Sequence, residues 1–284
     1  MTTGDELRSA TIPDWCPGCG DYAIVMSVKA AIAELNLDPK DVLIVSGIGC
    51  SSKLPHYVHA YGFHGIHGRP LPIATGAKVA NQGLKVIVIS GDGDCYGIGM
   101  SHFIHAVRRN VDLALVVHDN QIYGLTTGQT SPTSDFGFKT KTTPSGSIEN
   151  AVRPLSLAIA AGGTFVSRGF AGNPKHLTGL IKEAIQHRGT GFVDVLQPCV
   201  TFNKINTYAW YRERVYDLVE TGYLPTDRIA AAEKAMEWGD KIPLGVLFKE
   251  ERPVYGDLMP ALQAGPLVKQ PLERDIRPLM ERFI

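Results

Sequence analysis

At 284 residues with 44% apolar side chains, the chain is long enough to bury one large core or two modest ones, as a soluble globular protein does. Its 28 lysines and arginines balance 28 aspartates and glutamates, so no net field draws it towards nucleic acid or an anionic membrane, and neither partner is expected. No apolar stretch approaches bilayer length and residues 1–14 show no basic-then-apolar leader, which together predict a cytoplasmic protein.

Residues 1–20 form a polar N-terminal segment that closes on Cys16-Pro17-Gly18-Cys19, a turn that brings two thiols together three positions apart. Ile24, Val28, Ala31, Ile32 and Leu35 then recur on one stripe and predict a helix. Apolar runs follow at residues 42–45, 86–89, 113–117 and 192–196, with a weaker one at 164–167. They are continuous, not alternating, as strands covered on both faces of a parallel sheet are. Leu177, Leu180, Ile181, Ala184 and Ile185 mark a second helical stripe between the last two runs. The pattern predicts a doubly wound, mostly parallel α/β domain over residues 21–198. Residues 124–150, dense in threonine, serine, glycine and proline, read as a long ordered loop over a site. Residues 199–284, with Trp210, several tyrosines and scattered prolines, read as an extension that wraps the domain or a partner.

Gly91-Asp92-Gly93-Asp94 sits at the end of the run at 86–89, and Asn120 follows 28 residues after Asp92 at the end of the run at 113–117. A carboxylate, an amide oxygen and a main-chain carbonyl, here Asp92, Asn120 and Ile122, make a half-shell for Mg2+, whose other side a diphosphate fills. The glycines let backbone approach phosphate closely, and a helix starting near Gly97-Ile98-Gly99 would aim its N-terminus at it.

The odd number of cysteines, five, argues against a disulfide framework. Cys50 and Cys199 follow the runs at 42–45 and 192–196, so a parallel sheet puts both at the edge that carries Asp92 and Asn120. With Cys16 and Cys19 they form a four-thiol set for structural zinc or for a [4Fe-4S] cluster. Ligand type alone does not favour iron; a place beside a bound cofactor does. Cys95 reads first as a small packed residue and second as a reactive thiol.

Together, Cys16-Pro17-Gly18-Cys19-Gly20, Gly47-Ile48-Gly49-Cys50-Ser51, His67-Gly68-Arg69, residues 91–94, Asp119-Asn120, Tyr123-Gly124-Leu125 and Pro198-Cys199 closely resemble the β subunits of the 2-oxoacid:ferredoxin oxidoreductases. The resemblance implies a thiamine diphosphate-binding domain of the pyrophosphate type, with thiamine diphosphate, Mg2+ and one [4Fe-4S] cluster. It implies that Cys16, Cys19, Cys50 and Cys199 hold the cluster and that Asp92, Asn120 and the Ile122 carbonyl hold Mg2+. It sets Ile48, Gly49, Cys50, Ser51, His67, Gly91, Gly93, Asp94, Gly124 and Leu125 around thiamine diphosphate. Lys53 and His67 are candidates for a direct role on substrate; the plain alternatives are a solvated lysine and a turn histidine capping a carbonyl. Some relatives carry lysine where this chain has Thr127, a departure that bears on substrate preference.

A single sheet spent on the diphosphate leaves no pyrimidine-side module, so the chain holds half an active site. The resemblance implies that an α subunit supplies the other half, including the activating glutamate and an arginine for the substrate carboxylate, in an α2β2 assembly. The implied reaction is reversible, CoA-dependent oxidative decarboxylation of a 2-oxoacid, 2-oxoglutarate first among them, with ferredoxin as electron acceptor. Pyruvate or a branched-chain 2-oxoacid, and a non-redox thiamine diphosphate lyase or carboligase with structural zinc, are the alternatives.

Overall fold

The computed structural model describes residues 2–271, 273 and 275–283. Helix α1 (Asp21–Glu34) leads into strand β1 (Val42–Ser46), followed by strand β2 (Tyr61–His64), helix α2 (Pro70–Ala80) and strand β3 (Lys85–Gly91). Helix α3 (Met100–Arg109) and strand β4 (Leu113–Asp119) come next, then a short hairpin of β5 (Ile122–Tyr123) and β6 (Gln129–Thr130). Helix α4 (Pro154–Ala160), β7 (Phe165–Phe170), α5 (Pro174–Gln186) and β8 (Thr190–Leu196) follow. Residues beyond 199 supply α6 (Tyr208–Arg212), β9 (Val215–Asp217), α7 (Arg228–Met236), β10 (Ile242–Lys249) and α8 (Arg277–Met280).

The main sheet has the order β2-β1-β3-β4-β8-β7-β10-β9. Its first six strands run parallel, β10 pairs antiparallel with β7, and β9 runs parallel to β10. From β1 the chain steps one way to β2 and then to the opposite side for β3. The loops after β1 and β3 therefore diverge and leave a crevice at the carboxyl edge, the usual ligand position in such sheets. Four of the five apolar runs lie within strands, and the weaker one at 164–167 begins one residue before β7; each strand is longer than the run that marks it.

Successive side chains of each parallel strand enter opposite cores. Ile87 and Ile89 pack with α1 and α5 on one face, while Val86 and Val88 pack with α2 and α3 on the other. Both faces are thus apolar, which is why the runs read as continuous. Strand β10 lies next to β7 in register Gly245↔Arg168 and extends the sheet beyond its parallel half. No helix among the described residues is long and apolar enough to cross a membrane.

Candidate functional site

The turn after β3 places Asp92 at the crevice, 3% exposed. Helical backbone starts directly behind it: residues 93–98 form a wide helical turn and α3 follows, so the helix begins four residues earlier than the Gly97-Ile98-Gly99 signal suggested. Two glycines make that turn fit. A Cβ on Gly93 would fall 2.1 Å from the Tyr123 ring, and one on Gly97 2.7 Å from its hydroxyl. Tyr123 instead lies across the turn and donates to the Gly93 carbonyl at 3.2 Å.

Residues 124–150 close over Asp92. Ser131 Oγ and Thr133 Oγ1 both donate to its Oδ2, at 2.5 and 2.7 Å, and among the described residues no side-chain donor lands on Oδ1. Thr133 Oγ1 also lies 2.7 Å from Asp119 Oδ1. A hydroxyl carries one proton and cannot donate to two carboxylates at once, so the two carboxyls compete for it. Burial pushes the Asp92 carboxyl up to about 6 and Asp119 well above its ordinary value. A third buried carboxyl, Asp194, is likewise raised by burial to about 6, against the pull of the Arg168 guanidinium 3.9 Å away and the Tyr96 hydroxyl at 2.6 Å. An uncompensated carboxyl at Asp92 is what a cation site needs before the cation arrives.

Asn120 follows β4 and stands next to Gln121, whose φ of 58° turns the chain sharply. Its Oδ1 accepts from Ile122 N at 3.1 Å, and its main-chain carbonyl accepts from Asn203 Nδ2 at 3.0 Å. Asn203, 1% exposed, thus braces the amide turn from the region after β8. That bond joins segments 83 residues apart in the chain. Ile122 is buried in the β5–β6 hairpin, whose loop holds Thr127 at φ 75°, a region β-branched residues rarely occupy.

Asp94 ties the three loops of the crevice. Its Oδ1 accepts from His67 Nδ1 at 2.6 Å, Gly68 N at 2.7 Å and Ile48 N at 3.1 Å, and its Oδ2 accepts from Ser90 Oγ. Gly47 leaves room for this carboxylate, because a Cβ there would overlap it at 1.9 Å. His67 is fixed by Asp94 on one side and meets Tyr123 edge-on with ring centroids 6.3 Å apart. Ser51 packs against Gly91, and the side chains of Ile48 and Leu125, 38% and 48% exposed, stand at the open face. Lys53 Nζ lies 2.9 Å from both oxygens of Asp14, which the Tyr57 hydroxyl also contacts.

The sulfurs of Cys50 and Cys199 converge on Gly124, where a Cβ would lie 3.6 and 3.8 Å from them. The Cys16–Cys19 turn, closed by Cys19 N to Cys16 O at 3.0 Å with Gly18 at φ 83°, is pinned nearby. Trp15 Nε1 donates to the Cys50 carbonyl at 2.7 Å, and Gly20 N donates to the Pro198 carbonyl at 3.3 Å. Burial and neighbouring negative charge push the Cys50 thiol up to about 12 and Cys19 higher still, with Cys199 contributing to both. Such thiols stay protonated until a metal displaces the proton. All five cysteines are unpaired, and Cys95 is buried in the core beside α3, apart from this group.

Residues 47–195 match the thiamine pyrophosphate enzyme family, C-terminal TPP binding domain, and residues 199–264 match the C-terminal family of the pyruvate ferredoxin oxidoreductase beta subunit. The chain is 50% identical over 250 residues to the 2-oxoacid:ferredoxin oxidoreductase subunit beta of Saccharolobus solfataricus, covering 84% of this chain and 82% of that one. It belongs to the β subunits of the 2-oxoacid:ferredoxin oxidoreductases. Within that family, the 2-oxoglutarate oxidoreductase subunit KorB of Mycobacterium tuberculosis is 48% identical over 203 residues, 72% of this chain and 53% of that one. The solved 2-oxoglutarate:ferredoxin oxidoreductase of Magnetococcus marinus, with 2-oxoglutarate, coenzyme A and succinyl-CoA bound, superimposes with a TM-score of 0.92 at 39% identity over 99% of this chain and 96% of that one. The family, the fold and the thiamine diphosphate domain expected from the sequence are thus as found, and a β subunit of this family works with an α partner.

Proposed function

We propose that the chain is the cofactor-holding half of an enzyme converting 2-oxoglutarate and CoA to succinyl-CoA and CO2, reversibly, with ferredoxin as electron acceptor. When bound, thiamine diphosphate supplies the electron sink that releases CO2, and a [4Fe-4S] cluster takes electrons one at a time. Asp92, Asn120 and the Ile122 carbonyl hold Mg2+. Gly49, Gly91, Gly93 and Gly124 admit the cofactor to the backbone, and Ile48, Leu125 and His67 border it with Ser51 and Asp94. Cys16, Cys19, Cys50 and Cys199 ligate the cluster. Lys53 and His67 are the candidates for a contact with substrate. The site is completed from the pyrimidine side by an α subunit, in an α2β2 assembly in the cytoplasm.

The observation that carries this reading is the meeting of Cys50 and Cys199 on Gly124, four residues from Asn120 and next to the tyrosine that covers the Asp92 turn. A redox centre there stands beside the cofactor. Four thiolates suit structural zinc or a [4Fe-4S] cluster alike, and the place beside the cofactor is what favours the redox centre. The relatives named for 2-oxoglutarate support that substrate over pyruvate or a branched-chain 2-oxoacid.

The test is anaerobic co-purification with the α partner, iron, sulfide and zinc analysis, and dye reduction over a panel of 2-oxoacids with CoA. Iron and sulfide with fastest turnover on 2-oxoglutarate is the expected result. Zinc without iron would leave a non-redox lyase or carboligase, and faster turnover on another 2-oxoacid would change the substrate while keeping the chemistry.

A further inference from the structure

Cys19 differs from the other three cysteines of the group in having polar side chains on its sulfur. Gln197 Nε2 lies 3.2 Å from Cys19 Sγ and 3.1 Å from the Pro198 carbonyl. A carbonyl only accepts, so the amide nitrogen is the atom on that side, and its two hydrogens go one to each partner. Asp21 Oδ2 lies 3.4 Å from the same sulfur, and Asp21 Oδ1 is 2.6 Å from His118 Nδ1, with both residues fully buried. Among the described residues no side-chain hydrogen bond reaches the sulfurs of Cys16, Cys50 or Cys199.

Gln197 occupies a costly position for its own sake. It is 1% exposed, and its Oε1 is buried without a hydrogen-bond partner. Buried amide carbonyls are nearly always paired, so an unpaired one marks a side chain held for another purpose. The space it uses depends on Gly20: a Cβ there would lie 2.8 Å from Gln197 Cγ and 3.2 Å from Nε2.

We infer that Gln197 is a positioning residue that sets the electron affinity of the metal centre on Cys19, through its N–H to sulfur bond; this rests on the [4Fe-4S] reading above. When the centre accepts one electron, negative charge on its thiolate sulfurs rises and no covalent bond forms or breaks. A donor already aimed at sulfur then binds more strongly, which favours the reduced state and raises the midpoint potential. Burial keeps water from screening the effect. Asp21, held by His118, is the other polar side chain on that sulfur. Gln197 thereby decides how readily electrons from the 2-oxoacid settle on this centre before they leave.

The experiment is a dithionite titration of the anaerobic αβ complex followed by electron paramagnetic resonance, on wild type, Gln197→Met and Gly20→Ala, with iron and sulfide measured on each. Methionine keeps the length and loses the N–H; alanine at position 20 pushes an intact amide away. With full iron content, Gln197→Met is expected to lower the reduced-to-oxidised ratio at fixed potential about tenfold, or about 59 mV for one electron, and Gly20→Ala to shift it the same way by less. A merely structural role would lower iron content without moving the midpoint of the centre that remains. Unchanged midpoints at full iron content would overturn the inference, and so would loss of iron from both variants while the wild type is loaded. A wild-type complex holding zinc without iron would instead remove the cluster reading, and this inference with it.

Discussion

Replacing Asp92 by asparagine separates the carboxyl's role for the cation from its role in the fold. Asp92 is 3% exposed, and burial raises it from an ordinary 3.8 to about 6. The unfolded chain titrates near 3.8, so between 3.8 and about 6 the folded protein binds more protons than the unfolded one. The stability present at low pH is therefore lost as pH rises through that window. At about 1.36 kcal/mol per pH unit, ionised Asp92 destabilises the cation-free fold by up to about 3 kcal/mol above about pH 6. Asparagine keeps the shape and cannot ionise, and the Ser131 and Thr133 hydroxyls remain in reach. In EDTA at about pH 7.5, Asp92→Asn is expected to be more stable than wild type by about 1–3 kcal/mol, with roughly half that advantage at about pH 5. Urea unfolding followed by tryptophan fluorescence measures it. Calorimetry should show that the same variant loses Mg2+-dependent binding of thiamine diphosphate. A variant less stable than wild type at the higher pH would show that burial of the Asp92 charge does not strain the fold, and one that binds the cofactor equally well would show that Asp92 does not hold the cation.

Asp94→Ala removes the acceptor for His67, Gly68, Ile48 and Ser90 at once. With each buried unmade bond worth about 1–3 kcal/mol, a total loss of about 3–5 kcal/mol is expected in thermal or urea unfolding, and a loss under about 1 kcal/mol would contradict it. In the anaerobic complex, Cys199→Ser is expected to lose most iron and sulfide, whereas Cys95→Ser keeps both, because Cys95 is packed in the other core; equal iron loss from the two would break the assignment. Lys53→Ala breaks an ion pair whose partners are 31% and 65% exposed. Water screens such pairs, so little change in the urea midpoint is expected, and a clear drop would show that the N-terminal segment depends on it.

The parallel half of the fold was legible because two-sided burial leaves a plain mark, unbroken valine and isoleucine runs such as residues 86–89. β10 left no such mark: Pro243 and Gly245 interrupt it, and Gly245 sits at φ 116°. Strand β2 is an exposed edge with no apolar run to find. At the site, the glycine-acid turn and the Cys16–Cys19 turn stand out because their residues are adjacent in sequence, whereas the approach of Cys50 and Cys199 to Gly124 follows from strand ends that share one sheet edge. Contacts such as Ser131 and Thr133 on Asp92, Asn203 on Asn120 and Gln197 on Cys19 join segments that only the folded sheet brings together. A weak signal did exist for the buried polar layer. His118, Arg168 and Asp194 interrupt otherwise apolar strands, and a charged or polar residue inside such a strand calls for a buried partner.

On the proposed function, one sheet edge holds both the cofactor that acts on the 2-oxoacid and the centre that accepts its electrons. The most direct test is the electron paramagnetic resonance spectrum of the oxidised, anaerobic αβ complex before and after 2-oxoglutarate and CoA are added. A reduced [4Fe-4S] signal that appears with substrate in wild type and is absent in Asp92→Ala at equal iron content is the predicted result. A complex whose cluster responds to dithionite but stays oxidised with substrate would show that the cofactor and the cluster are not linked in this chain.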